Sequence, residues 1–167
     1  MREFDKVLDV KEKVLWEGKP QFWPFFLGGT TVNAIGGLIF LVVGLGFIIA
    51  GLSEGNYFIL LLPHFWVGVA LVFGVPIYNA LVYKHTFYAI TDKRVLIQKG
   101  LIGRDFEMVD FDQITNAEVN VSVIDKIFGR DSGSILVSSA GTFTQGKHGP
   151  IAKPYTLRNI SNPYNVF

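Results

Sequence analysis

Between Phe25 and Val82 the chain carries one formally charged residue, Glu54, in the polar break Ser53-Glu54-Gly55-Asn56 that separates two long apolar runs. The first run, residues 25–52, has 28 residues and the second, residues 57–82, has 26. A helix rises about 1.5 Å per residue and the hydrocarbon core of a bilayer is roughly 30 Å thick, so either run can span it with length left for tilt. The competing reading is a buried helical pair in a water-soluble protein, but the remainder of a 167-residue chain is too short to wrap both runs. The pattern predicts a membrane α-hairpin of two transmembrane helices.

Its orientation follows from Lys and Arg placement. Lys19 precedes the first run, and Lys84, Lys93 and Arg94 follow the second, whereas the connecting turn has neither residue type. The positive-inside rule then puts both termini in the cytoplasm and the turn outside, as in a two-pass protein of the cell membrane. A cleaved signal peptide is excluded, because its apolar region is shorter and 24 residues of mixed charge precede this one.

Three segments result: a cytoplasmic N-terminal lead-in over 1–24, the helical hairpin over 25–82 and a cytoplasmic β domain over 83–167. Hydrophobic residues make up 50% of the chain and charged ones 17%, the balance of an integral membrane protein with a modest soluble part. Residues 83–167 hold ten Lys/Arg against eight Asp/Glu, too even a balance to attract nucleic acid. With no Cys, disulfides, thiolate metal sites and Cys nucleophiles are ruled out.

In the lead-in, Val14-Leu15-Trp16 can lie on the membrane surface or on the β domain, and the aromatic run Phe22-Trp23-Pro24-Phe25-Phe26 suits headgroup depth. In the first span Thr30, Gly37, Gly44 and Gly51 recur every seven residues and leave one helix face nearly bare. Such a seam lets another backbone approach, either the second span or another copy of the hairpin. Asn33 and Asn79 fall toward the same half and can share an interhelical hydrogen bond. In the second span Pro63 and Pro76 each predict a bend, or the helix proper begins at Pro63.

Beyond Val82 the periodicity switches to two. Strands are expected over 86–90, 94–99, 105–111, 116–122, 134–139 and 155–158, with a short helix over 123–128 and a helix start at Asn162-Pro163. This is the pattern of a compact antiparallel sheet or partly open barrel.

Three groups of residues in this region resemble the bacterial pleckstrin-homology-like family of membrane-anchored proteins. They are Tyr88-Ala89-Ile90-Thr91-Asp92-Lys93-Arg94, Lys99-Gly100-Leu101-Ile102-Gly103-Arg104, and Asp112-Gln113-Ile114-Thr115. Ile127-Phe128-Gly129-Arg130 and Gly133-Ser134-Ile135-Leu136-Val137 look like the family's small helix and the strand after it. The resemblance implies an all-β pleckstrin-homology-like barrel or sheet whose end is closed by a C-terminal helix. It also implies a binding or scaffolding role at the inner face of the membrane, without cofactor or reaction. Phe167 stands where that closing helix should grow, so the expected barrel end is open, closed by the hairpin, or closed by a partner.

Enzyme readings find little support. Residues 141–147 match the first seven positions of a phosphate-binding loop, but His148 and Gly149-Pro150 replace the Ser or Thr and the helix start it needs, so nucleotide is not expected. His64, His85 and His148 lack metal-ligand spacing. The serines lack a nucleophile elbow, and Asp110 and Asp112 are read as caps of the turn into Ile114.

Catalytic, cofactor and metal residues are therefore none. The candidate binding residues are Lys84, His85, Lys147, His148, Val166 and Phe167. The expected partners are membrane lipids together with a protein or a second copy, in a non-enzymatic membrane-anchored module. An accessory subunit of a transporter or channel complex is the alternative.

Overall fold

The computed structural model describes residues 3–101, 103, 105–139, 143–146, 149–152 and 154–167. Its elements in chain order are β1 (Val14–Gly18), α1 (Phe22–Leu27), α2 (Thr31–Ser53), α3 (Pro63–Val69), α4 (Val75–Tyr83), β2 (Phe87–Thr91), β3 (Arg94–Lys99) and β4 (Asp105–Asp110). There follow β5 (Ile114–Asn120), α5 (Val123–Phe128), β6 (Ser132–Ser139), β7 (Phe143–Gly146), β8 (Gly149–Ala152), β9 (Tyr155–Ser161) and α6 (Pro163–Val166). Two compact units emerge, one of residues 26–80 and one that joins residues 1–25 to residues 81–167.

In the second of these, Val14-Leu15-Trp16 lies on the β unit as a strand. β1 pairs antiparallel with β2, Gly18 opposite Tyr88 and Trp16 opposite Ile90. Residues 19–86, both apolar helices included, are thus one long connection between neighbouring strands. The first sheet has the order β1-β2-β3-β4 and the second β5-β6-β9, while β7 and β8 form a separate hairpin.

The two larger sheets share a core. Tyr88, Val95, Ile97 and Val109 from the first cluster with Ile135, Val137, Leu157 and Ile160 from the second. The other face of the first sheet is covered as well, because Phe4 is buried against Ala89 and Leu96. A strand covered on both faces needs apolar residues at every position, not alternate ones. Val95-Leu96-Ile97 in β3 meets that demand, and the adjacent Gln98 is buried but accepts a 3.0 Å hydrogen bond from the Glu3 N–H.

The N-terminal segment is fastened by a charged clamp. Arg94 donates from Nε to Glu12 Oε1 at 3.0 Å and from Nη2 to Oε2 at 2.7 Å, a bidentate pair, while the Thr91 hydroxyl donates to Oε1. Thr91 Oγ1 in turn accepts from the N–H groups of Lys93 and Arg94, which folds Thr91-Asp92-Lys93-Arg94 into a hydroxyl-closed turn. Asp92 accepts from the Lys13 N–H. These bonds give the family-like tetrapeptide a physical role, since each of its first, second and last side chains holds either the turn or the N-terminal segment.

In the unit of residues 26–80, two helices are long and apolar enough to cross a membrane, Asn33–Ser53 and Tyr57–Tyr83. The first apolar run is not one helix. α1 ends at Leu27, Gly29 takes φ 72, and α2 starts afresh after Thr30, because a left-handed residue cannot continue a right-handed helix. Of the two readings of Pro63, the helix start is observed, with Pro63 in the first turn of α3. Between α3 and α4 the helix widens into a short π-helical stretch over Ala70–Gly74. Pro76 follows directly, and the wider turn accommodates its missing N–H and the carbonyl its ring would strike.

The bare face of α2 lies against the second helix. A Cβ on Gly44 would come within 2.7 Å of the Phe65 backbone nitrogen, one on Gly37 within 2.8 Å of Leu71 and one on Gly51 within 2.8 Å of Ile59. Gly68 answers from the other side, 2.6 Å from the Leu41 nitrogen. Thr30 is buried and its hydroxyl donates to the Leu27 carbonyl. The Asn33–Asn79 bond is not formed. Asn33 is exposed, and the Asn79 amide instead donates to the carbonyls of Phe26 and Gly28, beside the helix break at Gly29.

Gly44→Leu places a side chain into backbone and should cost about 1–3 kcal/mol. Gly46→Leu meets nothing within 4 Å and gains helix propensity, so its stability should equal or exceed wild type. Thermal unfolding of both variants in the same detergent checks the contrast; equal losses would show that the seam does not hold the helices.

Candidate functional site

Three places in the β unit bring chemistry-bearing side chains together. The first is where the chain leaves the sheet after β1 and returns to it before β2. Phe22 and Phe25 pack on Tyr83 with ring centroids 5.1 and 6.0 Å apart. Lys19 stands over the rings of Tyr83 and Phe87 at 5.2 and 4.4 Å, and the Arg158 guanidinium lies 5.1 Å from the Phe25 centroid. A cation over an aromatic face is held by the ring quadrupole. The turn Tyr83-Lys84-His85-Thr86 is tight, since the Thr86 hydroxyl donates to the Val82 carbonyl. Lys84 is exposed there, and His85 keeps a buried Nδ1 with no partner among the described residues.

The second place is the end of the two facing sheets. A hollow of about 280 Å³ is lined by Val95, Ile114, Ile135, Leu157, Val166 and Phe167 among others. α6 is only four residues long, and Phe167 is 66% exposed at the rim. Val166 and Phe167 therefore line an apolar opening.

The third is a cleft of about 710 Å³ beside α5, with Lys126, Arg130, Asp131, Asn162, Tyr164 and Asn165 at its walls. Its floor is held by Asp125, whose side chain is buried. One carboxylate oxygen accepts from Ser132 Oγ at 2.6 Å and Asn159 Nδ2 at 2.8 Å; the other accepts from the Ser122 hydroxyl and N–H. Burial opposes the charge, but the donors from Ser122, Ser132 and Asn159 outweigh it and leave the carboxyl below its ordinary value. With four donors on two oxygens it is a structural tie between α5, β6 and β9. Gly129 belongs to the same tie, because a Cβ there would collide with Ser132 Oγ, the Asp125 carbonyl and Pro24.

Lys147 and His148 lie outside the described residues. The strands on either side of them, β7 and β8, pair with Gly146 opposite Gly149, so a strand follows where a phosphate loop would need a helix. Asp110 ends β4 and makes no side-chain cap to the turn Phe111–Gln113, contrary to the expected cap. Among the described residues no three His, Asp or Glu side chains group as metal ligands.

Sequence reasoning passed over Asp125, Arg158 and the Glu12–Arg94 clamp. Ser122-x-x-Asp125 is a capping-box spacing and could have announced half of the Asp125 network. Nothing local marks Asn159 or Glu12, whose partners are 34 and 82 residues away. Tyr88 is likewise silent in the sequence. It is buried, which pushes its phenol above the ordinary range, and its oxygen accepts the Arg158 N–H at 3.0 Å to join the two sheets.

Two apolar helices with facing antiparallel sheets of four and three strands fit a pleckstrin-homology-like fold, a class made up in general of binding modules. The family model described as the bacterial PH domain matches residues 25–163, and the chain belongs to that family. No curated protein and no solved structure gives a significant match.

The clamp sets a pH dependence. The hydrogen bond from Arg94 lowers the Glu12 carboxyl from 4.5 to about 2, and Glu12 raises the Arg94 guanidinium in return. A depressed carboxyl stabilises the fold fully above its unfolded value and loses that contribution as pH falls toward the folded one. Wild-type thermal stability should thus fall between about pH 4.5 and 2. Glu12→Gln should cost about 3 kcal/mol at neutral pH by leaving Arg94 without its bidentate partner. The gap between variant and wild type should close through the same window; a gap constant down to pH 2 would refute the assignment.

Proposed function

We propose that the chain is a non-enzymatic, membrane-anchored binding or scaffolding module at the inner face of the cell membrane, crossing it twice with both termini cytoplasmic. The observation that carries this reading is the insertion of two apolar helices between neighbouring strands of a pleckstrin-homology-like sheet. Each helix exposes large apolar side chains along most of its length, among them Ile39, Val42 and Ile49 on α2 and Phe73 and Ile77 on the second helix. Contiguous apolar exposure on that scale calls for a nonaqueous surrounding.

In this reading residues 1–24 and 83–167 work together in the cytoplasm. Lys84 and His85 stand at headgroup depth, where each basic residue near an anionic leaflet contributes about 1 kcal/mol. The hollow at the sheet end, with Val166 and Phe167, is the binding end and takes an apolar segment of a partner protein or of a second copy. Lys147 and His148, which follow β7 and precede β8 in the sequence, complete the proposed binding residues. No residue acts as a catalyst.

The chain has no native Cys, so single probes report cleanly. In intact cells a Cys at Asn56 should react with a membrane-impermeant maleimide, and one at exposed Asp112 should react only after the membrane is opened. The reverse pattern would overturn the topology. A photo-crosslinking residue at Val166 should give a discrete adduct, and Phe167→Asp should reduce its yield several-fold without changing thermal stability. An undiminished yield would remove the hollow from the binding reading.

A further inference from the structure

α5 presents an unusual face. Val123 is 71% exposed and Ile127 66%, and Lys126 and Arg130 are exposed beside them. At 100° per residue Val123, Lys126 and Ile127 fall on one stripe, opposite the buried Asp125, and Arg130 follows just beyond the helix end. Aliphatic residues flanked by Lys and Arg on a short surface helix are the composition of an interfacial helix, whose apolar side enters the acyl boundary while the cations meet phosphate. Phe128 adds a half-exposed ring at its end.

The place of this helix supplies the second argument. Gly129, at its C-terminal end, packs so closely on Pro24 that a Cβ would come within 2.8 Å of the proline ring. Pro24 sits in Phe22-Trp23-Pro24-Phe25, directly before the chain runs into the first apolar helix, and Trp23 is itself 57% exposed. Six helical residues rise about 9 Å, comparable to the depth of the headgroup region on one side of a bilayer. The whole of α5 therefore lies within that distance of Pro24 and the aromatic residues beside it. In these segments the exposed bases are Lys19, Lys84, Lys126 and Arg130, and the exposed acids include Glu17 and Asp131.

We infer that α5 is a second membrane contact. Val123 and Ile127 seat in the headgroup and upper acyl region of an anionic bilayer, and Lys126 and Arg130 pair with lipid phosphates. This rests on the proposed membrane anchoring and adds to it a surface that the helical hairpin does not supply. Docking there leaves the apolar hollow at the sheet end free for a partner.

The test uses the full chain reconstituted in vesicles of phosphatidylcholine and phosphatidylglycerol, with a polarity-sensitive fluorophore on single Cys residues at Ile127, Phe40 and Asp112. Nitroxides on the lipid headgroup and upper acyl chain should quench the Ile127 probe and shift its emission to the blue, while the Asp112 probe stays aqueous. Lys126→Ala with Arg130→Ala should lower the docked fraction on the order of tenfold, and only in vesicles that contain phosphatidylglycerol. A quenched Phe40 probe with an aqueous Ile127 probe would overturn the inference and leave anchoring intact. An aqueous Phe40 probe would remove the anchoring itself. An Ile127 probe that shifts with protein concentration in detergent, without lipid quenching, would show that another copy covers the face and would also overturn the inference.

Discussion

The pairing of β1 with β2 is the constraint from which the rest of the architecture follows. Neighbouring strands lie about 4.8 Å apart, so Gly18 and Tyr88 bring the departing and returning chain side by side. Whatever is inserted between them must begin and end at nearly the same point, a condition that a helical hairpin meets and a single helix does not. The Glu12–Arg94 pair secures this closure at the far end of the strands, and Phe22, Phe25 and Tyr83 secure it at the near end. The same N-terminal segment carries Phe4 onto Ala89 and Leu96, so the fastening of β1 also keeps that face of the sheet covered.

The helical pair solves a different problem with different means. In a lipid-like surrounding there is no hydrophobic gain in bringing two apolar helices together, so contact must come from close backbone approach. Gly37, Gly44 and Gly51 provide it on one helix and Gly68 on the other. Asn79 is a buried amide side chain of this unit, and it is spent on carbonyls beside the break at Gly29. The break and the asparagine form one device, a helix interruption with neighbouring carbonyls satisfied.

What could be read from the sequence was whatever is local and periodic. β3 is found over the expected residues 94–99 and α5 over 123–128, because their apolar patterns and turn residues sit within a few positions of each other. The seven-residue glycine spacing likewise places three small residues on one side of a helix before any coordinates are known. β1 was not legible as a strand, since Val14-Leu15-Trp16 is too short to declare itself and its partner lies more than 70 residues on. The break at Gly29 escaped for another reason: hydropathy is blind to backbone handedness, and Gly28-Gly29 does not interrupt an apolar run. Of the residues expected to bind, Lys84 is found exposed and Val166 and Phe167 line the apolar hollow. Asp125 and Arg158 depend on contacts between β9, α5 and the segment before α2, which no single stretch contains.

An insertion between paired strands also orders events in time. Glu12 leaves the ribosome 82 positions before Arg94, which at ordinary elongation rates is roughly 4–16 s. Through that interval β1 has no partner strand, and the clamp that holds it cannot form. Closing so long a loop from a random chain is entropically slow. Once α2 has met the second helix, however, the ends of the intervening segment are already gathered, and β1 has only to wait for β2 to appear beside it. The length of that wait is set by elongation through the inserted helices, and the glycine seam decides only how near β1 stands to β2 when β2 emerges.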